Sequence, residues 1–148
     1  MRDEIRFCSL RDEYGAFSNF ARYSVVISKK RWPTTEHYLQ AQKFQDPADR
    51  EEIRRANTPA IAARLGRSRK KKLRSDWERV RVPAMRTALE AKFGQHADLR
   101  ELLLSTGDTR LVEHTDRDSF WGDGGDGSGE NMLGRLLMEI RTMLRASG

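Results

Sequence analysis

The chain has 148 residues, the span of one domain, with 37% hydrophobic and 34% charged side chains. Three Trp, six Phe and three Tyr spread along it argue against disorder. The 28 basic against 22 acidic residues leave a net charge of +6, which favours anionic partners such as phosphorylated metabolites, nucleotides or nucleic acid without choosing among them.

Two short extended pieces open the chain, IRFCSL (5–10) and YSVVIS (23–28), around the loop RDEYGAFSNFA. The β-branched Val25, Val26 and Ile27 mark the second as a strand. Lys29 and Lys30 then turn the chain toward Arg31 and Trp32. Pro33 stands just before a helix predicted over 35–44. Asp46 and Pro47 supply the N-cap and N1 of a second helix, to about residue 56. Thr58 and Pro59 repeat the device, with Gly66 as a C′ stop. Ser75 and Glu78 read as a capping box opening a segment to 93, in which Pro83 predicts a kink or short break. A short amphipathic helix over 97–104 ends at Gly107, and 110–113 reads as a strand. The loop SFWGDGGDGSGEN then feeds a last helix, 132–145, whose Leu133, Leu136, Leu137, Ile140 and Leu144 form one apolar stripe. No repeat or linker interrupts this order. The expected architecture is a helix-dominated α+β single domain over 1–148, with a few short N-terminal strands.

The only cysteine, Cys8, excludes an internal disulfide and a zinc knuckle. Charges at Arg2, Asp3, Glu4 and Arg6 interrupt any leader-peptide core, and no apolar run approaches the roughly 20 residues of a membrane span. A soluble cytoplasmic protein is expected. His37, His96 and His114 lack metal-ligand spacing, so structural roles are expected for them and no metal or cofactor.

Three stretches carry chemistry. In WPTTEHYLQAQKF (32–44), Glu36, Gln40 and Lys43 fall within about 60° of one another at 100° per residue. His37, Ala41 and Phe44 form a separate core stripe. Such a polar face is ordinarily a solvated one. Yet seven residues are too many for an i, i+4 ion pair, and the lysine stem leans toward the helix N-terminus, where its amine and the glutamate can meet around a ligand. A carboxylate and an amine on one rigid face suffice for proton transfer and for attack on an electrophilic carbon. In WGDGGDGSGEN (121–131), Gly122, Gly124 and Gly127 have a GxGxxG spacing. Too little chain follows for a dinucleotide-binding unit, and the carboxylate ligands of an EF-hand are missing. The loop is either flexible and exposed or folded around a ligand, with Asp123 and Asp126 able to accept from sugar hydroxyls. RLGRSRKKKLR (64–74) holds seven positive charges in eleven residues, a solvated segment or a phosphate-facing patch.

Taken in order, FSNF (17–20), WPTTEHYLQAQKF, LGR (65–67), DWE (76–78), KFGQ (92–95), LVE (111–113) and WGDGGDGSGENMLGRLLMEIR resemble the NADAR, or YbiA-like, family, over nearly the whole chain. Leu39 stands where many members carry an aromatic. The resemblance implies a metal-independent N-glycosidase whose site lies between the EHY-QAQKF helix and the glycine loop. Family members cleave ribose from an amino-pyrimidine in early riboflavin intermediates, or remove ADP-ribose from guanine in DNA, reversing a toxin's modification. The expected substrate is thus a phosphorylated ribosyl small molecule or ADP-ribosylated DNA, the latter with a functional pairing to an ADP-ribosyltransferase toxin.

Carried over by motif, Lys43 is the nucleophile that forms a Schiff base with the opened ribose, Glu36 is the acid and base, and the loop aspartate is Asp126 or its neighbour Asp123. Trp77 or Trp121 is placed on the base, Asn131 and the aspartates on ribose hydroxyls, and Arg67 on a phosphate. Asn19, Trp32, Gln40, Gly122, Gly124 and Gly127 complete the expected binding set. The alternative is a non-catalytic module binding ADP-ribose, NAD or nucleic acid through the glycine loop and the basic run.

Overall fold

A computed structural model describes residues 3–148, so Met1 and Arg2 of the charged N-terminal stretch lie outside the described residues. The architecture is α+β and helix-dominated, and its described residues fall into two units, each with its own core.

The first unit is Arg22–Gln95. It opens on an antiparallel hairpin, β1 (Val25–Ile27) against β2 (Lys30–Trp32), with Val25 opposite Trp32 and Ile27 opposite Lys30. The linking residues Ser28 and Lys29 both have positive φ, 53° and 68°, as a two-residue primed turn requires. The second strand had no sequence signal because that turn lacks the usual Asn-Gly pair. The Gln95 side chain adds to the hairpin, its amide bonding both the N–H (2.9 Å) and the C=O (2.8 Å) of Val26.

Three capped helices follow. α1 (Thr35–Ala41) is capped by Thr34, whose hydroxyl accepts from the His37 N–H. α2 (Pro47–Arg54) is capped by Asp46 and α3 (Pro59–Arg67) by Thr58, each with Pro at its start. α4 (Trp77–Gln95) runs unbroken through Pro83. The predicted break is absent, and the proline leaves only the Arg79 carbonyl without its usual helical donor. Gly66 does not stop α3; it lies inside it, facing Gln40 of α1. Val25, Trp32, Ala41, Phe44, Ile53 and Ala62 form the buried core of this unit, flanked by Ile27, Tyr38, Ala56, Leu65 and Ala91.

The other unit joins the described residues of Met1–Ala21 to His96–Gly148. β3 (Glu4–Phe7) pairs in parallel with β4 (Arg110–Glu113), Glu4 opposite Arg110 and Phe7 opposite Glu113. β3 ends before the predicted residue 10 because the Asp12 carboxylate takes the N–H groups of Ser9 (2.9 Å) and Cys8 (3.3 Å), turning the chain. A 3₁₀ turn at Gly15–Phe17 seats Phe17 edge-on against Phe7, ring centroids 5.8 Å apart. α5 (Ala97–Ser105) ends ahead of Gly107, whose φ is 59°, as expected. In α6 (Met132–Ser147), Leu133, Leu136, Leu137 and Ile140 are buried along the predicted stripe, and Leu144 is half-buried. No helix among the described residues is long and apolar enough to cross a membrane.

Candidate functional site

Each unit carries one set of the residues singled out in the sequence. In the Arg22–Gln95 unit they gather on α1 and the turn after it. The Thr34 cap sets the entry of α1. Its hydroxyl accepts from the His37 amide and meets His37 Nδ1 at 2.7 Å, while Nε2 lies 3.0 Å from the Ala56 carbonyl. The pattern is satisfied when the hydroxyl donates to Nδ1 and Nε2–H donates to the carbonyl, a neutral imidazole. Burial agrees, pushing the His37 pKa down. His37 is structural, as its position on the apolar stripe indicated.

Glu36, one residue earlier in the first turn, is buried at 8% exposure, yet the helix N-terminus suits a carboxylate. Gln40, equally buried, donates from Nε2 to Glu36 Oε2 at 2.7 Å. The predicted register of these two holds. α1 ends at Ala41 and not at 44, and Lys43 follows in a tightened turn, its N–H donating to the Gln40 carbonyl at 3.2 Å. Arg74 holds the end of that turn. Its N–H donates to the Lys43 carbonyl (2.9 Å) and its Nη1 to the Gln42 carbonyl (3.4 Å), while Asp76 holds the guanidinium in place at 2.6 Å. Lys43 therefore sits in a tight turn anchored from outside the helix. It is half-buried, its Nζ 5.9 Å from the centroid of the Trp77 ring. Trp77, expected to stack on a base, here packs against the lysine cation.

The remaining candidates of this unit lie elsewhere. Trp32 is in the core, edge-on to Tyr38 at 5.3 Å, its buried Nε1 without a hydrogen-bond partner. Arg67 is exposed in the last turn of α3. Of the basic run, Lys71 pairs with Glu52 and Arg74 with Asp76. Arg64, Arg67, Arg69, Lys70 and Lys72 are exposed.

In the other unit the glycine loop is ordered, and its two aspartates differ. Asp123 is buried at 5% exposure. Its Oδ2 meets His114 Nδ1 at 2.8 Å, and its Oδ1 accepts from Gly125 N (2.9 Å) and Thr115 N (3.1 Å). Burial would raise its pKa, but the His114 and backbone hydrogen bonds outweigh it and hold the carboxyl at about 2. Asp126 is exposed and closes a small turn, accepting from the Ser128 N–H (2.9 Å) and hydroxyl (2.6 Å), which lowers its pKa. Gly124 (φ 74°) and Gly127 (φ 87°) adopt backbone conformations closed to most side chains, and Gly122 is buried.

Asn131 spends its whole side chain on β4. Its Oδ1 accepts from Glu113 N and its Nδ2 donates to the Leu111 carbonyl, both at 2.9 Å. It was expected on a ribose hydroxyl; the structure uses it to pin the end of the loop. Trp121 is half-buried and edge-on to Phe120 at 4.7 Å, and Asn19 is buried after the 3₁₀ turn. The sequence named His114, Arg74 and Gly66 without their partners. His114 directly follows the LVE strand and Arg74 closes the basic run, but neither position announces its partner.

Among the described residues no group of three or more His, Cys, Asp or Glu is placed to hold a metal ion. Over 140 residues the chain is 58% identical to N-glycosidase YbiA of Escherichia coli (strain K12), covering 95% of this chain and 88% of that protein. It is 45% identical over 145 residues to a riboflavin biosynthesis protein of Vibrio vulnificus, covering 98% of this chain and 40% of that protein. The NMR structure of E. coli YbiA matches with a TM-score of 0.92 at 56% identity, covering 99% of this chain and 88% of that one. The NADAR domain model matches residues 6–145, so the chain belongs to the NADAR domain family and is an enzyme of its N-glycosidase type.

Proposed function

We propose that this enzyme hydrolyses a ribosyl N-glycosidic bond, with Glu36 as acid and base and Lys43 as nucleophile. The supporting observation is the α1 arrangement: a buried carboxylate, gripped on one oxygen by Gln40, with a lysine held in the adjoining turn by Arg74. Cleaving such a bond needs a proton for the departing nitrogen and a nucleophile at C1′. The neutral Lys43 amine bonds to C1′ as the bond to the base breaks, and that nitrogen takes the proton held by Glu36. The Glu36 carboxylate then accepts a proton from the new secondary ammonium and passes it to O4′ as the C1′–O4′ bond breaks, which leaves a protonated Schiff base. Water adds to it, the C1′–Nζ bond breaks, and ribose leaves with the lysine regenerated. Of the two loop carboxylates Asp126 is the exposed one, while His114, Thr115 and Gly125 occupy Asp123.

The substrate favoured is a ribosylated amino-pyrimidine phosphate, supported by the name of the V. vulnificus relative. A second reading, ADP-ribose on guanine in DNA with an ADP-ribosyltransferase toxin as counterpart, draws support from the exposed cations of the basic run. The test is to incubate the protein with each substrate, follow base or ribose release, and reduce with borohydride. Release from one substrate and a reduced adduct on Lys43, both absent in Lys43→Ala, are expected, with release also lost in Glu36→Gln. No release from either, with no adduct, defeats the proposal.

A further inference from the structure

α3 approaches α1 so closely at Gly66 that a Cβ there would overlap the Gln40 amide, Oε1 first and then the amide carbon. Gln40 Oε1 is thereby buried against bare backbone with no hydrogen-bond partner, a placement that by itself costs stability. The other end of the same amide donates to Glu36 Oε2 at 2.7 Å. Turned over, the amide would set its oxygen against a carboxylate and aim its N–H groups at a Cα, so the observed orientation keeps the donor where it is useful. Nothing in a solvated helix face calls for this arrangement. It matters only if the position of the Glu36 carboxyl matters.

We infer that Gly66 and Gln40 form a clamp that positions Glu36: Gly66 leaves the room into which the amide must fit, and the amide holds Oε2 in place. Both are positioning residues, and the inference rests on the reading of Glu36 as acid and base. A hydrogen bond donated to the carboxylate favours its charged form, so the clamp also sets the pH at which Glu36 gives up its proton. Gly66 thus has a task beyond helix packing, since alanine would otherwise be the better residue inside α3.

The test compares Gln40→Leu, Gly66→Ala and the double variant Gly66→Ala/Gln40→Ala with wild type. For Gln40→Leu and Gly66→Ala, kcat is expected to fall by at least about tenfold with KM changed far less, and the alkaline limb of the pH–rate profile, where Glu36 loses the proton it must donate, to move to higher pH. In the double variant the added methyl has room, so wild-type thermal stability is expected while the rate stays low. Carbon-13 NMR of the Glu36 carboxyl in ligand-free protein supplies a readout independent of turnover: its titration moves to higher pH in Gln40→Leu. The clamp is overturned if Gln40→Leu keeps the wild-type profile and carboxyl titration, or if the double variant regains the wild-type rate. Should wild type release no product, the N-glycosidase assignment of Glu36 fails, and the carboxyl titration still decides the clamp.

Discussion

Lys92 sits in the last turn of α4, fully enclosed at 0% exposure. Its Nζ lies 5.9 Å from the Tyr23 ring centroid and 5.7 Å from that of Phe93, and these aromatic faces offset only part of the lost hydration. Burial brings its pKa from 10.5 down to about 7. Below pH 7 the amine is charged in both folded and unfolded chains, and the folded state carries the full desolvation cost. Between pH 7 and 10.5 the folded chain is neutral there while the unfolded chain still binds the proton, so stability rises with pH. At about 1.4 kcal/mol per pKa unit, the displacement corresponds to roughly 5 kcal/mol across that window. Lys92→Met keeps the stem volume and removes the charge, so its stability lacks this rise. Urea unfolding of both proteins at pH 6, 8 and 10 checks it. The stability of Lys92→Met relative to wild type is expected to be highest at pH 6 and to shrink by several kcal/mol by pH 10. A difference that stays constant from pH 6 to 10 refutes the argument.

Three further outcomes are predicted. Asn131→Asp keeps an acceptor for Glu113 N–H but turns an oxygen toward the Leu111 carbonyl, so it costs about 2–4 kcal/mol in denaturant unfolding, and a cost below about 0.5 kcal/mol would sink this reading. Lys29→Gly relieves the residue at φ 68° in the hairpin turn and stabilises by about 1 kcal/mol in the same assay, whereas glycine at an ordinary position would destabilise. Asp123, held at about 2 against an ordinary 3.8, contributes stability that is present above about pH 4 and lost as pH falls through 2. Asp123→Asn is therefore expected to lose less melting temperature than wild type between pH 5 and pH 2, and parallel losses would contradict it.

Local chemistry wrote much of this protein into its sequence. The caps at Asp46 and Thr58, the stop at Gly107, the strand Arg110–Glu113 and the apolar stripe of α6 depend on neighbours a few residues away, and all were legible. That Glu36 and Gln40 share one face was legible for the same reason, the two being one helical turn apart; the hydrogen bond between them was not. Tertiary contacts decided the rest. Arg74, over thirty residues distant, takes the carbonyls of Gln42 and Lys43 and so anchors the turn that carries the lysine. Gly66 reads as a helix stop until Gln40 is seen against it, and Asn131 reads as a sugar ligand until β4 is seen using both ends of its amide. A residue's type and spacing set what it can bond. Which bond it makes depends on groups that only folding brings within 3 Å.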